Sequence, residues 1–89
     1  MRVALICTDK PDHLQVRLDN RAAHLAHIEA SGVVEMAGPF LNDGAMTGSL
    51  VVLNVGTLAE AQAWADADPY AVAGLFSSVM ISEWKKVIG

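Results

Sequence analysis

Two short, almost unbroken apolar runs, Val3–Cys7 and Leu50–Val55, set the terms on which this chain can fold. Each is made almost wholly of apolar residues, too short for a stable helix, and flanked by polar or turn-forming residues. That is the signature of strands covered on both faces near the middle of a sheet. Between the two runs the spacing changes. Leu14, Leu18, Ala22, Leu25 and Ile28 recur every three or four positions, which predicts one apolar helical stripe. Pro11 suits the first turn of that helix, and Gly32, after Ser31, suits its left-handed C-terminal residue.

The remaining elements follow from local signals. Val33–Ala37 reads as a second strand closed by Gly38-Pro39, and Phe40–Thr47 as a loop holding the turn residues Asn42, Asp43 and Gly44. Thr57-Leu58-Ala59-Glu60 has the form of a capping box and opens a second helix. This helix must finish by Asp68, because the residue before Pro69 is pushed out of the helical region. Pro69 then opens a short helical turn with Gly74 near its end, and Val79–Val87 forms a last strand at an open edge. The order is β-α-β-β-α-β over residues 1–89, a single α+β domain. It predicts a ferredoxin-like sandwich with both helices on one face of the sheet.

Such a sheet leaves its other face bare. Apolar residues make up 53% of the 89, yet a chain of this length removes only roughly 60–65% of its surface from water. The surplus has to lie outside, and a contiguous apolar patch marks an interface. We therefore expect a homodimer or a higher homo-oligomer. The net charge of −4, with no basic cluster beyond Lys85-Lys86, argues against nucleic acid as a partner. An RNA-binding domain of this fold would also need aromatics on a central strand, and Leu50–Val55 has none. The single cysteine, Cys7, rules out an intrachain disulfide and suits a reducing compartment. The N-terminal apolar run is too short for a signal peptide or a membrane span. The expected location is cytoplasmic, with no membrane association.

His24 borders the predicted helical stripe, where a half-buried imidazole suits proton transfer, although a helix-edge histidine with one satisfied hydrogen bond would look the same. Asp68, before Pro69-Tyr70, is well placed as an N-cap. It can still orient an imidazole, since a carboxylate has two oxygens and one can cap while the other orients. His24 and His27 form H-x-x-H, but no further ligand pair follows, so no metal site is assigned. His13 is expected to be solvated, Cys7 to be an inert core thiol, and Trp64 and Trp84 to serve packing or an interface. Phosphate-binding glycine loops and a nucleophile elbow are missing from the sequence.

Several segments together resemble the YciI-like family of small bacterial proteins. They are Arg17-Leu18, Arg21-Ala22-Ala23-His24-Leu25, Ala37-Gly38-Pro39, Thr47-Gly48-Ser49 and Ala65-Asp66-Ala67-Asp68-Pro69-Tyr70, followed by Ala73-Gly74 and Trp84-Lys85-Lys86-Val87. The resemblance implies a dimeric α+β barrel similar to muconolactone isomerase, with a pocket centred on a His/Asp pair that falls here on His24 and Asp68. One member of the family is a dehydrochlorinase of a chlorinated hydroxyhydroquinone. By that resemblance the chain is a lyase or isomerase without a cofactor, acting on a small cyclic or unsaturated organic acid or phenol. Arg17 or Arg21 would hold an anionic group, and Ser49 and the backbone near Gly38 would line the pocket. The loop from Phe40 to Met46 looks shorter than in some members. The alternative is a non-catalytic module on the same scaffold that binds or senses a small molecule.

Overall fold

Both apolar runs lie at the centre of one sheet. The computed structural model describes residues 1–89 as β1 (Arg2–Asp9), α1 (Leu14–Ser31), β2 (Val34–Asn42), β3 (Ala45–Asn54), α2 (Leu58–Ala67), α3 (Pro69–Val72) and β4 (Phe76–Trp84). The strand order is β2-β3-β1-β4, and every neighbouring pair is antiparallel. β1 and β2 are therefore parallel to each other with β3 inserted between them. This is the ferredoxin-like arrangement, and β4 takes the expected edge. No helix is long and apolar enough to cross a membrane.

Three local expectations are corrected. The segment read as a loop is a hairpin: β2 runs on to Asn42, and Asp43-Gly44 alone joins it to Ala45. Both turn residues have positive φ, 50° and 80°, the backbone that a two-residue type I′ turn demands. Pro39 sits within β2 because β2 is an edge strand, whose outer side needs no amide donor. Pro11 stands in a turn ahead of α1 rather than in its first turn. Finally, β4 starts at Phe76 and ends at Trp84, so Lys85–Val87 lie beyond it.

The capping signals act as expected. Glu60 N donates to Thr57 Oγ1 at 3.1 Å, while Glu60 Oε2 reaches back to the amide of Gly56 at 2.9 Å. Gly32 ends α1 in the left-handed conformation.

One face of the sheet packs under the helices. Val3, Leu5 and Cys7 of β1 and Val51 and Leu53 of β3 form the core with Val55 and with Ala61, Trp64 and Ala65 of α2. Trp64 Nε1 donates to Ser31 Oγ at 2.9 Å and ties α2 to the end of α1. The alternate residues face away from the helices. There the register sets Ile6 between Leu50 and Met80, Met36 beside Val52, and Trp84 beside Arg2. Ile6, Met36, Phe40, Met80 and Trp84 are all exposed on that face. Only 17 of the 89 residues are buried, so the single chain leaves this apolar face uncovered.

Candidate active site

Helix α1 does not bury its leucines. Leu14, Leu18 and Leu25 are each 46–47% exposed, while the buried residues of the helix are Arg17 and His24. The inward face is offset by one position from the apolar stripe, about 100° of helical turn. Burying the polar face is tolerable because each buried polar group has a partner supplied by another element.

His24 Nδ1–H donates to Asp68 Oδ1 at 2.8 Å, and both side chains are almost fully buried. The same oxygen accepts the amide of Tyr70 at 3.0 Å. One Asp68 oxygen thus performs both the cap and the imidazole contact, rather than one oxygen for each. The imidazole also stacks on the Tyr70 ring, with centroids 3.9 Å apart and planes 14° from parallel. Hydrogen bond and stacking together fix the ring's tautomer and tilt. Nε2 makes no hydrogen bond within the chain, and no buried side-chain nitrogen or oxygen lacks a partner. Nε2 is therefore the accessible nitrogen, facing the cavity that His24 lines.

That cavity, of about 160 Å³, lies between α1 and the strands β2 and β3. Arg17, Arg21, His24, Leu25 and Ile28 come from the helix, Ala37, Gly38 and Pro39 from β2, Met46, Ser49 and Val51 from β3, and Tyr70 from α3. Arg17, Arg21, His24, Gly38 and Ser49, expected at the pocket from the family resemblance, all line this cavity, and Asp68 joins them through its bond to His24.

Their roles differ. Arg17 is only 3% exposed, and its fork is taken up by Asp9, with Nε to Oδ2 and Nη2 to Oδ1 both 2.8 Å. Nη2 also donates to Ser49 Oγ at 2.9 Å, and the guanidinium lies 4.8 Å from the Tyr70 ring centroid. Burial works to lower the Arg17 pKa, but the hydrogen bond and charge of Asp9, helped by Tyr70, more than offset it and raise it. Arg17 is thus a neutralised strut of the pocket wall. Arg21 is exposed and has no carboxylate partner, so it is the free cation at the rim. Burial pushes the Tyr70 hydroxyl above its ordinary value, against the pull of Arg17 and Arg21, which keeps it neutral at physiological pH. His27 lies outside the cavity, with Nε2 against the Trp64 carbonyl at 3.1 Å.

Two members of the site were not singled out in advance, Asp9 and Tyr70. Asp9 ends β1, and no local pattern links it to Arg17, 8 positions on. Tyr70 had a signal, since it stands two residues after Asp68, where an N-cap carboxylate receives an amide.

Comparison with known proteins agrees with this architecture. Residues 1–85 match the YCII-related domain. Protein YciI of Escherichia coli O6:H1 is 40% identical over 97 aligned positions, covering 98% of this chain and 99% of that one. An uncharacterised protein of Haemophilus influenzae is 32% identical with the same coverage. Among solved structures, 5-chloro-2-hydroxyhydroquinone dehydrochlorinase (TftG) of Burkholderia phenoliruptrix, in complex with 2,5-dihydroxybenzoquinone, superposes with a TM-score of 0.87. It is 34% identical, over 96% of this chain and 94% of that one. The match over nearly the whole chain, in sequence and in fold, makes this protein a member of the YCII-related family.

Proposed function

We propose that this chain is an enzyme of the lyase or isomerase type, moving a proton on a small cyclic or unsaturated organic acid or phenol. His24 is its general base and acid, and Asp68 the residue that positions it. His24 carries this proposal. Its Nδ1–H is held by a carboxylate at 2.8 Å, which leaves the Nε2 lone pair for a substrate proton. Once protonated, the ring keeps its Nδ1–H on Asp68, and the carboxylate faces the positive charge as it develops. The proton then returns to a second atom of the substrate, completing an isomerisation. In an elimination the released electron pair instead expels a leaving group such as chloride. Neither route calls on a cofactor.

The cavity supports the size class. An apolar cavity of about 150 Å³ holds one benzene molecule, and the cavity here has about the same volume. One six-membered ring fits, with Arg21 at the rim for an anionic substituent. The dehydrochlorinase relative acts on a single chlorinated ring, which supports the same class.

The assembly that goes with this site is a homodimer in which the two helix-free sheet faces pack together. Each contributes Ile6, Met36, Phe40, Met80 and Trp84, which are exposed in the single chain.

The test is turnover of chlorinated hydroxyhydroquinones and muconolactone-type lactones by the wild-type protein and by His24→Asn. Asparagine keeps a donor toward Asp68 and lacks Nε2. Turnover lost by about 10²-fold or more in the variant supports the proposal. Equal turnover overturns it, and binding without any turnover replaces the enzyme with a binding module.

A further inference from the structure

Ser49 holds a hydroxyl proton that nothing in the chain receives. Its Oγ accepts from Arg17 Nη2 at 2.9 Å, and it makes no other side-chain hydrogen bond. A guanidinium has donors only, so Arg17 cannot take the serine proton in return. Arg17 is itself locked by the two bonds it donates to Asp9, which fixes the side from which Ser49 is approached. Ser49 is 3% exposed, and the space open to its hydroxyl is the cavity it lines with His24. The positive guanidinium on the oxygen makes the O–H a stronger donor.

We infer that Ser49 is a preset hydrogen-bond donor for a substrate oxygen, and that the pocket selects single-ring compounds carrying both a hydroxyl and a carbonyl or phenolate oxygen. The hydroxyl gives its proton to His24 Nε2, and the second oxygen accepts from Ser49 Oγ–H. The inference rests on the proposed role of His24 for the first contact only. A ring with one oxygen satisfies the base and leaves the Ser49 proton unpaired. A ring with two satisfies both, and a site built to hydrogen-bond a substrate group rejects analogues that lack it. The Asp9–Arg17 pair thereby acquires a purpose in the site although its charge is neutralised: it orients the serine.

The experiment compares two ligands of similar shape, 4-hydroxyacetophenone and 4-ethylphenol, which differ in the carbonyl oxygen. Dissociation constants are measured by calorimetry at neutral pH for the wild type, Ser49→Ala, Ser49→Cys and His24→Asn. The wild type should prefer the ketone by roughly tenfold, the worth of one good hydrogen bond. Ser49→Ala should abolish that preference, lowering the affinity for the ketone more than the affinity for 4-ethylphenol. If Ser49→Ala does not fold, Ser49→Cys, a near-isostere with a weaker donor, should reduce the preference. No preference in the wild type, or a full preference kept in the folded serine variant, overturns the inference. His24→Asn should weaken both ligands and keep a preference for the ketone. Unchanged affinity for both in that variant would remove the base and leave Ser49 in place, so the two failures are distinct.

Discussion

His24 and Asp68 stand 44 positions apart in the chain and 2.8 Å apart in space. Helix α1 brings one to the sheet, and the break between α2 and α3 brings the other. Tyr70, two residues on, stacks on the imidazole and donates its amide to the same carboxylate oxygen. The aspartate therefore has a structural and a proposed chemical duty at one atom.

Asp68→Asn separates the two duties. Asparagine retains an oxygen that accepts from both N–H groups, and it caps helices as well as aspartate does. Urea unfolding should give a stability within about 1 kcal/mol of wild type. Turnover should fall about 10²-fold or more, since the charge opposite the protonated ring is gone. Equal kcat values in both proteins would reduce Asp68 to a cap.

The Asp9–Arg17 pair should behave as a buried ion pair, with side-chain exposures of 7% and 3%. Arg17→Ala strands the Asp9 carboxylate and should cost about 3–5 kcal/mol. Replacing both partners, as Arg17→Met with Asp9→Leu, strands no charge and should cost much less. Denaturant midpoints of the three proteins decide it, and a double variant as destabilised as Arg17→Ala would refute the pairing argument.

Cys7 should make stability depend on pH at the alkaline end. Burial pushes its thiol up from 9.0 to about 12, reinforced by the Asp68 carboxylate and opposed by Arg17. Below pH 9 the thiol is protonated in the folded and unfolded chains alike, and the full stability is present. Between pH 9 and 12 only the unfolded chain ionises, so stability declines as the pH rises. Tyr70, also shifted upward, adds to the decline at the upper end of the window. Cys7→Ala should flatten the slope. At pH 8, iodoacetamide should label the native protein far more slowly than the protein in urea.

Light scattering at micromolar concentration should report twice the chain mass of 9.4 kDa. Met80 is 58% exposed, on the open face of the sheet. Met80→Asp should give a folded monomer by burying a charge in the sheet-to-sheet contact, and Trp84→Ala should weaken association with unchanged secondary structure. A monodisperse wild-type monomer would sink the proposed assembly.

The sequence by itself determined the parts whose physics is local. The two apolar runs became the central strands. Gly32 ended α1, Thr57 and Glu60 opened α2, and Asp68-Pro69 separated α2 from α3. Each depends on backbone sterics or on groups within four positions of one another. The Asp43-Gly44 hairpin was legible in the same way, but Gly38 and Pro39 masked it until the tertiary structure placed β2 at an edge where proline is harmless.

Only the tertiary structure decided which face of α1 turns inward. Apolar periodicity points Leu14 and Leu18 at the core, yet Arg17 and His24 occupy it. A polar residue can be buried when its partner arrives from elsewhere. Here the partners are Asp9 and Ser49 for Arg17, from 8 and 32 positions away, and Asp68 for His24. No pattern along one helix carries that information, because the desolvation of each buried group is offset by hydrogen bonds that exist only after the sheet and the second helical segment have docked.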